Sequence, residues 1–382
     1  MQPSIMVAAG GTGGHLFPAQ ALSEALIRRG YVIDLITDTR GGYFGADFPA
    51  RNVYKVPAAT FKGKSPIEAT RTMATLSNGF QLAYKVMADA QPKAIIGFGG
   101  YPTLPPMLAA MARGVPSLIH EQNAVMGRAN RFLAPMVKAI ACSFENTKYL
   151  EGKLLTKAHL TGTPLRASVL QMRGQPYRPP SSSSQINLLI FGGSQGAQVF
   201  SNVMPEALSQ LPTHMRERLM VVQQCRAEDI DRVFDQYEAA GVAAELSTFF
   251  ENMAERMFQS HLVIARAGAT TVSELCAVGR PALLVPLPHS LDNDQFENAS
   301  RFQDGGGGWC LEQAGLTPER LAGTIRRLLE EPLTLVKAAA AATRMAQYNA
   351  VDNLADLLTH LAFTMPAPSA PVATAQPEAA QS

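Results

Sequence analysis

Ile5-Met-Val-Ala-Ala-Gly10-Gly-Thr-Gly-Gly-His15 runs from a short apolar stretch into a glycine turn. Helix-forming composition follows from Pro18 to Arg29 (Ala19, Ala21, Leu22, Ala25, Leu26) and stops at Gly30. The same order returns at Ile186-Asn-Leu-Leu-Ile-Phe191-Gly-Gly-Ser-Gln-Gly-Ala197, with a helical stretch from Val199 to Leu211 behind it. Strand, tight turn and helix in that order predict the first βα unit of a parallel sheet. Further strands are expected at 32–36, 94–96, 117–119 and 139–142, and in the second half at 219–222, 244–246, 262–265 and 282–285. Residues 319–330 and 335–361 read as helical. Two doubly wound α/β units in series follow, joined by a Pro/Ser-rich linker at 174–184. Ligands in such units sit beyond the carboxyl ends of the strands, so two facing units would enclose a cleft.

Composition narrows the choice. The chain has 382 residues, 47% of them apolar and 17% charged, enough for two cores and too apolar for a disordered chain. No apolar run approaches the ~20 residues of a membrane span, and Met1 to Gly10 lacks the basic start of a signal peptide. Cys142, Cys225, Cys276 and Cys310 fit no zinc spacing and read as small core residues of a reducing compartment. The net charge of +2 hides an asymmetry: residues 1–165 carry 17 basic against 9 acidic side chains, the remainder 16 against 22. A basic half suits an anionic partner. No basic helix, finger or RNP-like string marks a nucleic-acid binder, so an anionic membrane surface or lipid head group stays open beside a chance partition of charge.

The glycine loops bring backbone amides and a helix N-terminus to phosphate oxygens, or only permit a tight turn. Neither is G-x-G-x-x-G or a P-loop, which disfavours nicotinamide chemistry and ATP hydrolysis. In the second half Arg266 is expected at the end of a strand, where a phosphate could lie, with Gly268 turning the chain. Thr271-Val-Ser-Glu274 matches a capping box, and on the residues alone Glu274 reads as its cap; the alternative is a carboxylate for a ribose diol. Asp294 and Gln295, in the polar loop 286–298, could read sugar hydroxyls. Asp229-x-Asp231 and Asp292-x-Asp294 resemble metal-binding pairs but are short enough to arise by chance, and no metal or cofactor is expected.

Together these segments resemble the MurG family. The matching motifs are Gly10-Gly-Thr-Gly-Gly-His15, Gly97-Phe-Gly-Gly-Tyr-Pro102, His120-Glu-Gln-Asn123, Gly162-Thr-Pro-Leu-Arg166, Gly192-Gly-Ser-Gln-Gly-Ala197, Arg266-Ala-Gly-Ala-Thr-Thr-Val-Ser-Glu274 and the loop ending at Gln295. They keep family order from about residue 5 to about 360. The resemblance implies a GT-B fold of two Rossmann-like domains: 1–165 facing the acceptor and membrane, 166–340 holding UDP-sugar, a helix at 341–361 packing back on the first, and a disordered tail at 362–382. It implies transfer of N-acetylglucosamine from UDP-N-acetylglucosamine to undecaprenyl-pyrophosphate-linked lipid I, giving lipid II for peptidoglycan, at the cytoplasmic face of the inner membrane beside other cell-wall proteins. By motif, Ser194 and its loop meet the diphosphate, Arg166 and Glu274 the nucleotide, and the turn at Ala269, Thr270, Thr271, Val272 and Ser273 the phosphates. The Phe250 backbone reads uracil and Gln295 the sugar. Thr12, Gly13, Gly14 and Asn123 line the other side. Asp294 and Thr163 stand where the family usually has Gln and Asn.

Transfer to an alcohol calls for a base. His15 is the candidate, starting near the ordinary imidazole pKa of ~6.5; capping its helix or binding acceptor pyrophosphate is the alternative, and Glu121 is a weaker second base. Met73, Leu76 and Phe80 form a helical stripe that reads as core packing with a membrane patch at one end; Phe61-Lys-Gly-Lys-Ser-Pro-Ile67 adds to it. Rival readings are another GT-B glycolipid synthase, a sugar-nucleotide epimerase and a non-catalytic nucleotide-sugar-binding subunit.

Overall fold

A computed structural model describes residues 2–10, 13–38, 48–59, 65–193 and 198–363. Thr12, Ser194 and its loop, Lys62, Lys64 and the segment after Phe363 lie outside the described residues. The chain forms two units, Met1–Pro164 with Asn349–Ser382, and Leu165–Tyr348.

The first unit is built on β1 (Ser4–Ala8), β2 (Val32–Thr37), β3 (Asn52–Lys55), β4 (Ala94–Gly97), β5 (Ser117–Glu121), β6 (Ala139–Cys142) and β7 (Ala158–Leu160). All pair in parallel, in the order β3-β2-β1-β4-β5-β6-β7. The chain winds outward from β1 to β3, then returns to β4 on the other side. That reversal opens a crevice beyond the carboxyl ends of β1 and β4. Every residue of β1 is buried, as a strand covered on both faces requires. Its alternate side chains feed opposite layers. Ile5 and Val7 join Leu22, Leu26, Leu354 and Leu358, whereas Met6 and Ala8 join Ile95, Met107, Ile119 and Leu133.

The second unit repeats the plan with β8 (Ile186–Phe191), β9 (Leu219–Gln224), β10 (Ala243–Ser247), β11 (Leu262–Ala265), β12 (Ala282–Leu284) and β13 (Gly308–Cys310), ordered β10-β9-β8-β11-β12-β13 and again all parallel. Its crevice lies between the ends of β8 and β11. Ile186, Leu188 and Ile190 pack with Phe200, Met204, Leu208, Leu321, Ile325 and Leu328.

Two expectations change. Residues 174–184 do not join the units but belong to the second. There the Tyr177 hydroxyl donates to the His261 carbonyl at 2.8 Å, Ser181 and Ser184 bond each other, and Arg218 Nε donates to the Ser184 carbonyl at 2.8 Å. The chain passes between units at 164–165 and 348–349. The helix expected over 335–361 is two helices, Pro332–Arg344 and Ala350–Phe363. The first buries Leu335, Ala338, Ala339, Ala341 and Ala342 in the second unit. The other belongs to the first unit and lies on the helix Gly13–Arg28, where Arg29 grips Asp352 at 2.8 Å and Asp356 at 2.6 Å. It runs through Ala362 and Phe363, two residues beyond the expected start of the tail. Among the described residues no helix is long and apolar enough to cross a membrane.

Candidate functional site

In the second unit, β11 ends at Ala265 and the helix Ala269–Val278 begins behind an N-cap glycine, Gly268. The first-turn amides, from Ala269 to Thr271, lie before the first helical rung, Val272 N to the Gly268 carbonyl at 3.0 Å. Such a terminus attracts anions. Ser273 Oγ donates back to the Ala269 carbonyl at 2.9 Å.

The helix starts too early for the capping box. Glu274 is its sixth residue, buried, and accepts from Arg166 Nη2 at 3.0 Å. It does not cap the helix. Burial pushes its carboxyl above the ordinary 4.5, with Arg166 pulling the other way. A buried carboxylate held by one guanidinium keeps lone pairs for further donors, as a ribose diol would supply.

Arg266 stands directly after β11, as expected, but its side chain is engaged within the protein. Its guanidinium donates to the Val285 and Pro286 carbonyls at 3.1 and 3.0 Å and to Gln313 Oε1 at 2.6 Å, pinning the loop after β12. Gln295 lies in the first turn of the helix Asp294–Asp304 and accepts from Leu287 N at 3.0 Å. Its neighbour Asp294 is half-buried and accepts from Gln295 N at 2.7 Å. Asn298 Nδ2 ties that helix to the Ala267 carbonyl at 3.0 Å. The Phe250 ring is buried under the Arg256 guanidinium, 4.2 Å from its centroid. The ring is therefore spent on packing, and the backbone is what this loop offers.

In the first unit the loops after β1 and β4 press together: a Cβ on Gly10 would lie 2.7 Å from Pro102 Cγ. His15 follows Gly13 and Gly14 in the first turn of its helix, half-buried. Its ring lies over Gly99 and Gly100, whose φ angles of +89° and +75° suit only glycine; a Cβ there would stand 3.7 Å from Nε2 and 3.5 Å from Cε1. Desolvation lowers its pKa to about 4, well below the expected ordinary value. The ring is therefore neutral at pH 7.

Glu121 is occupied as a loop organiser. Its Oε1 accepts from Asn123 N at 2.9 Å and Asn123 Nδ2 at 3.3 Å, and its Oε2 from Gly127 N at 2.9 Å and Asn130 Nδ2 at 2.7 Å. Four donors occupy this carboxylate while burial raises its pKa above the ordinary value, so a role as second base would require one of the four to be displaced. Sequence reasoning missed Asn130, because nothing before the fold links it to Glu121, nine positions away. It also gave no separate role to His120, which is wholly buried and bonded through Nε2 to the Gly162 carbonyl at 2.9 Å.

Thus the first unit gathers Gly13, Gly14, His15, Glu121 and Asn123 in one crevice region. The second gathers Arg166, Phe250, Ala269 to Glu274 and Gln295 at the carboxyl end of its own sheet. Among the described residues no three His, Cys, Asp or Glu side chains cluster as metal ligands. Asp229, of the first Asp-x-Asp pair, pairs instead with Arg232 at 2.5 Å.

Comparison with known proteins gives the family. Residues 5–142 match the glycosyltransferase family 28 N-terminal domain and residues 187–354 the family 28 C-terminal domain. A UDP-N-acetylglucosamine–N-acetylmuramyl-(pentapeptide) pyrophosphoryl-undecaprenol N-acetylglucosamine transferase of Allorhizobium ampelinum is 47% identical over 94% of this chain and 95% of that protein. The Agrobacterium fabrum protein of the same name is 46% identical over 94% of each. The crystal structure of Acinetobacter baumannii MurG superposes with a TM-score of 0.75 at 29% identity, covering 94% of this chain and 99% of that one. A UDP-N-acetylglucosamine 2-epimerase from Neisseria meningitidis, at 13% identity and a TM-score of 0.65 over 93% of this chain and 99% of its own, shares the fold alone. Matched in both units and close to half identical to these relatives, the chain belongs to glycosyltransferase family 28, within the MurG family of N-acetylglucosaminyltransferases.

Proposed function

We infer that this chain moves N-acetylglucosamine from UDP-N-acetylglucosamine to the muramoyl 4-hydroxyl of undecaprenyl-pyrophosphate-linked lipid I, forming lipid II for peptidoglycan. The observation that carries the reading is the near full-length identity to relatives named for this transfer. The second unit holds the donor. Glu274 accepts the ribose hydroxyls, Arg166 lies beside it, the amides from Ala269 to Thr271 and the loop with Ser194 meet the diphosphate, the Phe250 backbone reads uracil and Gln295 the sugar. The first unit adds Thr12, Gly13, Gly14 and Asn123 to the contacts of UDP-N-acetylglucosamine and offers His15 to the acceptor hydroxyl. The acceptor oxygen attacks the anomeric carbon as the bond to the UDP oxygen breaks. His15 takes the hydroxyl proton, UDP leaves with the electron pair, and the α-linked donor becomes a β-linked product. Positive charge from Arg166 and a helix N-terminus can balance the leaving group.

The test is turnover of UDP-N-acetylglucosamine with a lipid I analogue. We expect UDP release only when the analogue is present, and a rate that persists in EDTA. A changed free sugar without acceptor would favour epimerase chemistry, preference for diacylglycerol a glycolipid synthase, and binding without turnover a non-catalytic subunit.

A lipid-linked acceptor implies work at a membrane surface, at the cytoplasmic face by the family reading, and side chains of the first unit support a peripheral attachment. The helix Pro66–Ala90 buries Thr72, Ala83 and Met87 and packs Gly79 against Pro57, so the expected stripe is split. Phe80 packs partly on the core, Leu76 is half-buried, and Met73 is 59% exposed. Leu82 and Tyr84 are exposed on the same helix beside Lys85, and Phe132 and Met136 near Lys138. Apolar anchors among cations suit anionic lipid. Met73→Ser combined with Phe132→Ser is expected to cut flotation with anionic vesicles several-fold at low salt while leaving UDP affinity intact. Undiminished flotation would remove these side chains from the surface contact.

A further inference from the structure

Gln224 is the last residue of β9, which lies between β8 and β10. The chain leaves β8 at Gly192, where the loop assigned to the diphosphate begins. It leaves β10 at Thr248, two residues before Phe250, whose backbone is assigned to uracil. The buried Gln224 side chain reaches both. Its Oε1 accepts from Gly192 N at 3.2 Å, and its Nε2 donates to the Thr248 carbonyl at 3.1 Å. The β9–β10 ladder ends close by, with Cys225 N donating to the Ser247 carbonyl at 2.9 Å. Past that point the two loops have β9 between them, and the Gln224 carboxamide hydrogen-bonds to both.

We propose that Gln224 is a positioning residue for the donor nucleotide: its carboxamide is a strut fixing the distance between the backbone that meets the diphosphate and the backbone that meets the base. The proposal rests on the donor-site reading above and deepens it. A primary carboxamide suits the task, because one planar end carries an acceptor for Gly192 and a donor for Thr248. Adjacent Gln223 provides a contrast. It points to the opposite face, accepts from the Tyr237 hydroxyl at 2.6 Å inside the core, and reaches neither loop.

A strut acts on ligands that touch both loops. Of these two loops uridine touches only the one at the base, its ribose being held by Glu274, whereas UDP touches both. In Gln224→Met, which keeps length and bulk but makes neither bond, the Kd for UDP by calorimetry should rise about fivefold to thirtyfold. The KM for UDP-N-acetylglucosamine should rise in parallel with kcat little changed, and uridine affinity should hold. Gln224→His, with one donor and one acceptor on a neutral ring, should recover part of the UDP affinity. Gln223→Met should lower the melting temperature while leaving UDP affinity as in the wild type. The strut is overturned if Gln224→Met binds UDP as tightly as the wild type. It is equally overturned if Gln223→Met weakens UDP to the same extent, or if uridine and UDP lose affinity together. A wild type that binds no UDP overturns the donor-site reading and takes the strut with it.

Discussion

Replacing His15 with alanine is expected to lower kcat by about 10²–10⁴-fold, the usual worth of a general base, while the KM for UDP-N-acetylglucosamine stays within about twofold because a base acts on the acceptor proton and not on the donor. The ring is available as an acceptor but, with its pKa lowered, is a weaker base than an ordinary imidazole until substrate binds. Desolvation over Gly99 and Gly100 holds its pKa at about 4, so at neutral pH it is uncharged and can accept a proton. An arriving anionic acceptor favours the protonated form and raises the pKa, so basicity grows as the complex forms. His15→Gln, which keeps polarity but cannot titrate, should be as slow as alanine. A fall in kcat of less than about tenfold with KM unchanged would remove His15 as base; a raised acceptor KM with kcat intact would make it a binding residue.

Glu274→Ala should cost about 10²–10⁴-fold in kcat/KM, because hydrogen bonds to a charged group are worth about 1.5–3 kcal/mol each and the proposed ribose contacts number two. It also removes the carboxylate that the partly exposed Arg166 meets at 3.0 Å, which should cost some stability. Glu274→Gln, of equal volume and still an acceptor, separates the two effects: it should fold normally and bind UDP more weakly. The pH dependence has a definite sign. Burial raises the Glu274 pKa above 4.5, and only the carboxylate accepts from both hydroxyls. UDP affinity should be full above that raised pKa and fall as pH drops through it. In Glu274→Gln this limb should vanish from UDP binding, leaving the kcat/KM profile with a lower acid limb toward the His15 value of about 4. An unchanged profile would show that Glu274 does not titrate in donor binding.

The repeated strand–glycine–helix order made the two-unit parallel architecture legible, because fully buried strands are continuous apolar runs and their turns need glycine. The three strands that escaped notice, β3, β7 and β13, are all edges. Edge strands need little apolar surface: Asn52-Val-Tyr-Lys55 is largely exposed, and Gly308-Trp-Cys310 is three residues behind a glycine run. The Pro/Ser stretch at 174–184 looked like a hinge by composition, but Tyr177 and Arg218 tie it down, and contacts of that range leave no local signal. At the site, motif order singled out Arg166 and Glu274, which the fold brings to 3.0 Å of each other. The capping reading of Glu274 failed because the helix begins at Ala269, which only the fold determines. The low His15 pKa, the four donors around Glu121 and the Gln224 bridge were not legible, since each depends on partners brought together by strand order and not by spacing.

The central claim is that the second unit grips the uridine nucleotide through Glu274 and the helix N-terminus beside it. A crystal structure with UDP-N-acetylglucosamine bound tests it most directly. The account predicts ribose hydroxyls within hydrogen-bonding distance of Glu274 and diphosphate oxygens at the amides of Ala269 to Thr271. A nucleotide bound elsewhere, with Glu274 still meeting Arg166 alone, would contradict it.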